Sequence, residues 1–329
     1  MSSDRPPQIA VIGAGAWGTA LALLYQRAGK TVALWARDEA RGATLAVTRR
    51  NARLRCITLP PAIDVVFGAP LPMATEAVLL VVPVQHLRAI AARLPAGPAP
   101  LIACAKGMEA DTLSLPLDIL AAIQPGRAAA VLSGPNFAAE IAAGKPAAAV
   151  IACTDAALRQ RLLGILAAPG FRLYGNEDPL GVQLGAAAKN VFAIAAGAVI
   201  GAGLGENARA ALITRALAEL ARLVQALGGR AETVMGLSGL GDLLLTATGP
   251  ASRNFGLGLG LGRGHALSIL IADSPGIAEG VATAPALAAH AARHGIEVPI
   301  IDAVAALLAG RHSLEQAIAA LLARPLRDE

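Results

Sequence analysis

The sequence predicts an α/β protein, with a doubly wound parallel sheet over residues 1–180 followed by an all-helical domain over 181–329. Three observations carry this prediction: the chain length, the short uncharged β-like runs that alternate with helical stretches in the first half, and the long Ala/Leu-rich segments of the second. At 329 residues the chain exceeds what one ordinary core accommodates, so two domains are the starting expectation. Hydrophobic residues make up 55% and charged residues 16%, a balance that excludes a disordered chain.

In the first half, residues 8–13 read as a strand and 17–28 as a helix, with further strands at 31–36, 77–82, 100–105, 128–132 and 147–152. Apolar runs of this length without polar alternation suit parallel strands buried on both faces, and hence a sheet covered by helices. From about Pro179 the texture changes to helical periodicity, as in residues 207–227 and 283–294. Gly228, Gly229 and Gly310 read as helix stops, and Thr283 and Ser313 as N-caps. The glycine-rich tract 256–264 reads on composition as a flexible loop.

The net charge of +5, from 28 basic and 23 acidic side chains, suits a phosphorylated or dinucleotide ligand. Arginines are scattered rather than striped and aromatics are only 3%, which argues against a nucleic-acid surface. Cys56, Cys104 and Cys153 show no metal-ligand spacing, and their odd number excludes a complete intrachain disulfide set, so a reducing, cytoplasmic setting is expected. Residues 9–25 carry no charge and follow Arg5, superficially like a signal peptide, but Gly13, Gly15 and Gly18 interrupt the run where a strand-turn-helix needs them. No membrane span is expected. His86 and His265 lack spaced partners for a metal, and no nucleophile-elbow or P-loop sequence appears, so hydrolase and kinase readings lack a site.

Gly13-Ala14-Gly15-Ala16-Trp17-Gly18 is a G-x-G-x-x-G sequence that follows an apolar strand, opens a helix and precedes a second strand. That context points to a Rossmann dinucleotide site: Gly13 for the tight turn, Gly15 for backbone approach to pyrophosphate, and Gly18 for helix-to-strand packing. Arg37 precedes Asp38 at the end of the second strand, which leaves NAD or NADP open with a lean toward NADPH. In the second half, Lys189 is the only charged side chain between Asp178 and Glu206, with Gly185, Ala186, Phe192 and Ala193 at its helical neighbour positions. An ammonium so placed either reaches a cleft or is desolvated to a lowered pKa, the property of a proton donor to a carbonyl.

The chain resembles bacterial-type glycerol-3-phosphate dehydrogenases nearly from end to end. The resemblance rests on ordered segments: IGAGAWGTALA from Ile12, AKGME from Ala105, SGPNFAAEIAAGKP from Ser133, GVQLGAAAKNVFAIAAG from Gly181, GLSGLGDLLLTATGPASRNFGLGLG from Gly236 and IAEGVATAPA from Ile277. It implies NAD(P)-dependent interconversion of dihydroxyacetone phosphate and sn-glycerol 3-phosphate, the backbone precursor of phospholipid. By the same resemblance, Lys189 is the proton carrier and Lys106 the second active-site lysine, bridging substrate and cofactor. Gly134 and Asn136 resemble the substrate loop, Asp242 a substrate-contacting carboxylate, and Ser252, Arg253 and Asn254 the phosphate trio. Ala16, Trp17, Arg37, Ala138, Arg253, Ile277 and Glu279 match cofactor contacts. Asn136 departs from the Thr or Ser of many relatives, although an amide is expected to donate to an oxygen as a hydroxyl does. A homodimer is the expected assembly, since such dimers are the commonest soluble oligomers.

Overall fold

The computed structural model describes residues 6–54, 57–68, 70–273, 276 and 278–323. Packing divides the chain into two units, Met1–Ala105 with Pro116–Pro179, and Lys106–Leu115 with Leu180–Glu329. The loop carrying Lys106 therefore belongs to the unit that holds the C-terminal helices, although sequence places it in the first half.

The first unit runs β1 (Ile9–Ile12), α1 (Ala16–Arg27), β2 (Val32–Ala36), α2 (Glu39–Thr48), β3 (Ile63–Phe67), β4 (Ala77–Leu80), α3 (Val84–Ala91), β5 (Leu101–Ala103), α4 (Pro116–Ile123), β6 (Ala129–Ser133), α5 (Ala138–Ala142), β7 (Ala147–Ala152), α6 (Ala156–Ile165) and β8 (Phe171–Asn176). The strands form one sheet in the order β3-β2-β1-β4-β5-β6-β7-β8. Pairing is parallel from β3 to β6, antiparallel between β6 and β7, and parallel again between β7 and β8. The all-parallel expectation thus breaks at β7. One core packs α1, α5 and α6 on one face of the sheet, and a second packs α3 and α4 on the other. The uncharged run at 9–25 is accounted for here: Ile9–Ile12 are fully buried in the central strand, and α1 buries Gly18 to Tyr25.

Sequence reading missed β3 and β8, and both are sheet edges. An edge strand keeps one face in solvent, so Ile63–Phe67 and Phe171–Asn176 alternate in burial and never present a continuous apolar run.

The second unit runs α7 (Pro179–Gly201), α8 (Gly205–Ala226), α9 (Ala231–Val234), a π-helical turn (Leu237–Gly241), α10 (Asp242–Ala247), α11 (Arg253–Gly262), α12 (Leu267–Ala272), α13 (Gly280–Arg293), α14 (Pro299–Leu308) and α15 (Leu314–Leu322). Helix α7 is long and apolar enough to cross a membrane by length and composition, yet 78% of its most apolar window is buried within the protein, where it forms the centre of this unit's core. Ser313 caps α15 in a full capping box with Gln316. Thr283 is not an N-cap: it lies inside α13, its hydroxyl donating back to Glu279 O at 2.8 Å, because the helix starts three residues earlier at Gly280. A cap supplied from another helix is Glu219 of α8, whose carboxylate accepts from Ile300 N (2.8 Å) and Ile301 N (3.0 Å) at the start of α14. Burial pushes that carboxyl up to about 7 against the pull of the two N–H groups.

The tract 256–264 is not a loop. Residues 253–262 form α11, and Gly258 and Gly262 are there because it crosses α7 with backbone touching backbone. A Cβ on Gly258 would lie 2.0 Å from Ile194 O, and one on Gly262 would lie 2.3 Å from Ala198 O. The fit is mutual, since a Cβ on Gly197 would lie 2.1 Å from Phe255 O and one on Gly201 2.3 Å from Leu259 O. Gly197/Gly201 and Gly258/Gly262 each repeat at four residues, so each pair lies on one face of its helix.

Gly258→Ala should therefore lower the thermal midpoint by about 2–10 °C, the consequence of about 1–3 kcal/mol of overpacking against a carbonyl that cannot move aside. Differential scanning calorimetry reads this directly. A neutral or stabilising effect, which a loop glycine of ordinary φ would give, contradicts the crossing.

Candidate active site

Lys189 sits near the middle of α7, 10% exposed along its side chain. Its ammonium donates to Asp242 Oδ1 at 2.9 Å and to Thr246 Oγ1 at 2.9 Å. Asp242 opens α10 directly after the π-helical turn, and Thr246 follows four residues later on the same face. Gly239 makes that turn possible, since a Cβ there would lie 2.0 Å from Val234 O. Thr246 spends its own proton on Asp242 O at 2.6 Å, so its lone pairs face Lys189. Asp242 is not a helix cap: its second oxygen accepts from Lys106 Nζ at 2.5 Å.

One carboxylate thus holds two ammoniums in a place where all three are largely out of water. Burial alone would raise the Asp242 pKa, but the two adjacent lysines outweigh it and hold the group below the usual carboxylate range. Lys189 moves the opposite way from a surface lysine. Burial, opposed by Asp242 and reinforced by the like charge of Lys106, brings it down from 10.5 to about 8. A Lys189 amine near neutrality that keeps one N–H beyond its two bonds is equipped to exchange a proton with a ligand oxygen.

Ser252, Arg253 and Asn254, the expected phosphate trio, open α11. Ser252 is the N-cap, accepting from Phe255 N at 3.2 Å and keeping its own O–H to donate. Arg253 is exposed at the first helical position, its guanidinium against Gly276. Asn254 is buried and engaged at both ends of its amide, donating to Asn190 Oδ1 at 2.8 Å and accepting from Gly280 N at 3.0 Å. It ties α7, α11 and α13 together, a role its place in the sequence trio does not suggest. Glu279 precedes α13, and burial raises its carboxyl pKa against the pull of Arg253, Lys189 and Lys106. Ile277 lies outside the described residues.

In the first unit, Gly13 has φ +120°, and a Cβ there would lie 2.4 Å from Val81 O; a Cβ on Gly18 would lie 1.9 Å from Gly13 O. Gly15 is the N-cap of α1 and gives no side-chain cap, and the first turn carries no acidic residue. The N–H groups of Ala16 and Trp17 are left in a positive helix end, which fits a pyrophosphate. Around the position of a Gly15 Cβ the nearest atom is Arg53 Nη1 at 3.8 Å, so the loop has room for a ligand beside a guanidinium. Arg37 is exposed just beyond β2, while Asp38 is occupied as the N-cap of α2, accepting from Arg41 N at 2.9 Å. Gly134, Asn136 and Ala138 lie on the loop from β6 into α5, with Ala138 its first helical residue. His86 is half-buried on α3, and no group of three or more metal-ligating side chains occurs among the described residues.

Sequence reasoning did not single out Thr246, Asn190, Asn51 or Arg53. Asn51 braces the glycine loop, donating to Ala14 O (3.1 Å) and Thr19 Oγ1 (2.6 Å) and accepting from Arg53 N (3.0 Å). Only Thr246 carried a readable signal, its i+4 spacing from Asp242.

The profile described as NAD-dependent glycerol-3-phosphate dehydrogenase N-terminus matches residues 8–159, and that of the C-terminus matches residues 178–319. A glycerol-3-phosphate dehydrogenase [NAD(P)+] of Acidiphilium cryptum is 56% identical over 98% of each chain, and that of Gluconobacter oxydans 52% identical over 97% of this chain and 98% of its own. The crystal structure of glycerol-3-phosphate dehydrogenase from Coxiella burnetii superposes with a TM-score of 0.90 at 35% identity, covering 96% of this chain and 98% of that one. With both halves matched in order, this chain belongs to the NAD-dependent glycerol-3-phosphate dehydrogenase family.

Proposed function

We propose that the protein interconverts dihydroxyacetone phosphate and sn-glycerol 3-phosphate with NAD(P), supplying glycerol phosphate for phospholipid synthesis. The observation that carries the reading is the Lys189 amine, buried, bonded to Asp242 and brought down to about 8. Bound nicotinamide supplies the hydride acceptor or donor, and the rest of the chemistry belongs to side chains.

Lys189 donates its proton to the carbonyl oxygen as that oxygen gains charge, and takes it back from the alcohol in the reverse direction. Asp242 and Thr246 fix the direction in which the amine points, and the Asp242 carboxylate sets one negative charge between the two lysines. Lys106 adds a second positive charge toward the developing oxyanion. Arg253 and the Ser252 hydroxyl supply the charge and donors a phosphate dianion needs. The open start of α1 receives the pyrophosphate, and Arg37, with Asp38 occupied elsewhere, favours the additional phosphate of NADPH. The buried thiols of Cys104 and Cys153 suit a cytoplasmic setting, and a homodimer is the assembly we expect.

Purified protein should oxidise NADPH on addition of dihydroxyacetone phosphate. Reduction of a non-phosphorylated ketone with none of dihydroxyacetone phosphate contradicts the proposal. Lys189→Ala should lose about 100 to 1,000-fold in kcat while cofactor binding by fluorescence persists, since an oxyanion donor is removed. Thr246→Val should lower kcat about tenfold by freeing the amine to rotate, and Thr246→Ser should restore it; equal losses in the two variants would mean that the hydroxyl does not position Lys189.

A further inference from the structure

The loop from β6 into α5 contains a polar atom that the fold leaves unsatisfied. Asn136 Oδ1 is buried and has no hydrogen-bond partner, whereas Nδ2 of the same amide donates to Ala148 O on β7 at 3.0 Å. The orientation of the amide is not arbitrary. Turning it over would set two carbonyl oxygens against each other at that distance, so the nitrogen end must face Ala148. The loop cannot swing away to reverse this, because Gly134 at φ +144° is pressed onto the same strand; a Cβ there would lie 2.9 Å from Ala149 Cα and 3.0 Å from Ala148 O. What the loop offers a ligand at this residue is therefore the oxygen.

Buried acceptors without partners are rare in folded proteins and mark a missing donor. An amide oxygen repels a phosphate dianion or a carboxylate and receives a neutral O–H or N–H. Sequence reading expects Asn136 to donate to a substrate oxygen, in place of the hydroxyl of relatives; the geometry points to the reverse polarity. Resting on the dehydrogenase reading above, we propose that Asn136 Oδ1 accepts a hydrogen bond from a neutral donor of the bound reactants and takes no part in holding phosphate. Two such donors exist in the proposed reaction, the terminal hydroxyl of the triose phosphate and the carboxamide of the nicotinamide. In either case Asn136 selects for a reactant that carries the donor over one that has a methyl group in its place.

The test compares kcat/KM of the wild type, Asn136→Ala and Asn136→Ser for two pairs of reactants. One pair is dihydroxyacetone phosphate against hydroxyacetone phosphate, which lacks the terminal hydroxyl. The other is the natural reduced cofactor against its acetylpyridine analogue, which lacks the carboxamide nitrogen. The wild type should prefer the donor-bearing member of one pair, and Asn136→Ala should shrink that preference about tenfold or more, with Asn136→Ser between them. The pair that responds identifies the donor. Inhibition by inorganic phosphate should be the same in all three proteins. Preferences that are equal in the wild type and both variants for both pairs, as a water-satisfied amide would give, overturn the proposal, and so does weakened phosphate inhibition in the variants. Should Asn136→Ala fail to fold, the wild type and Asn136→Ser carry the same comparison. A wild type that does not turn over dihydroxyacetone phosphate at all refutes the dehydrogenase reading instead, a result distinct from unchanged ratios in an active enzyme.

Discussion

The helical unit is organised around one carboxylate. Asp242 is 1% exposed and pairs with two lysines that the fold has also removed from water. Stripping water from such groups costs several kcal/mol per ion, and removing one partner of a buried pair typically costs about 3–5 kcal/mol, so the three side chains stand or fall together. Each is delivered by a different device: Lys189 by the middle of a buried helix, Asp242 by a π-helical turn that glycine makes possible, and Lys106 by the short segment Lys106–Leu115. In that segment Leu113 adopts φ +58° and Glu109 is buried, accepting from the Thr112 hydroxyl. A loop that tolerates a bulky residue in the left-handed region is held there by its surroundings, which keeps the Lys106 amine on Asp242.

The same logic extends along α7. Asn190, next to Lys189, accepts from Asn254, which in turn accepts from Gly280 N, so one buried amide fixes the starts of α11 and α13 relative to the lysine helix. The glycine crossing between α7 and α11 then sets how closely Ser252 and Arg253 follow. Lys189, Ser252 and Arg253 are thus positioned by backbone contact and amide hydrogen bonds rather than by flexible side chains. This is the kind of support a site needs when reacting atoms must be placed to a fraction of an ångström.

Much of this was legible in the sequence, for physical reasons that also explain what was not. Strands buried on both faces announce themselves as uninterrupted apolar runs, as β1, β2 and β4 to β7 do; β3 and β8 alternate at the edges and do not. A lone lysine among Gly, Ala and Phe over 27 residues is a conspicuous anomaly that singles out Lys189. Composition misled at 256–264, because glycine serves equally for a loop and for a tight helix crossing, and only the partner Gly197 and Gly201 on α7 distinguish the two. Thr283 has the chemistry of a cap but lies one turn inside its helix. The polarity of Asn136 was beyond sequence altogether, since it depends on which end of the amide meets Ala148, about one strand away in space and 12 residues away in the chain.

The proposed reaction depends on the protonation of Lys189. Below about 8 the amine carries the proton that carbonyl reduction requires, and above it the neutral amine is the base that alcohol oxidation requires. The most direct measurement is therefore kcat against pH in both directions over about pH 6 to about pH 10, with chemistry made rate-limiting by a deuterated hydride donor. Reduction should fall and oxidation should rise through a common midpoint near 8. Midpoints at the ordinary lysine value of 10.5, or rates in both directions that ignore pH across this range, would show that the buried amine does not move the proton.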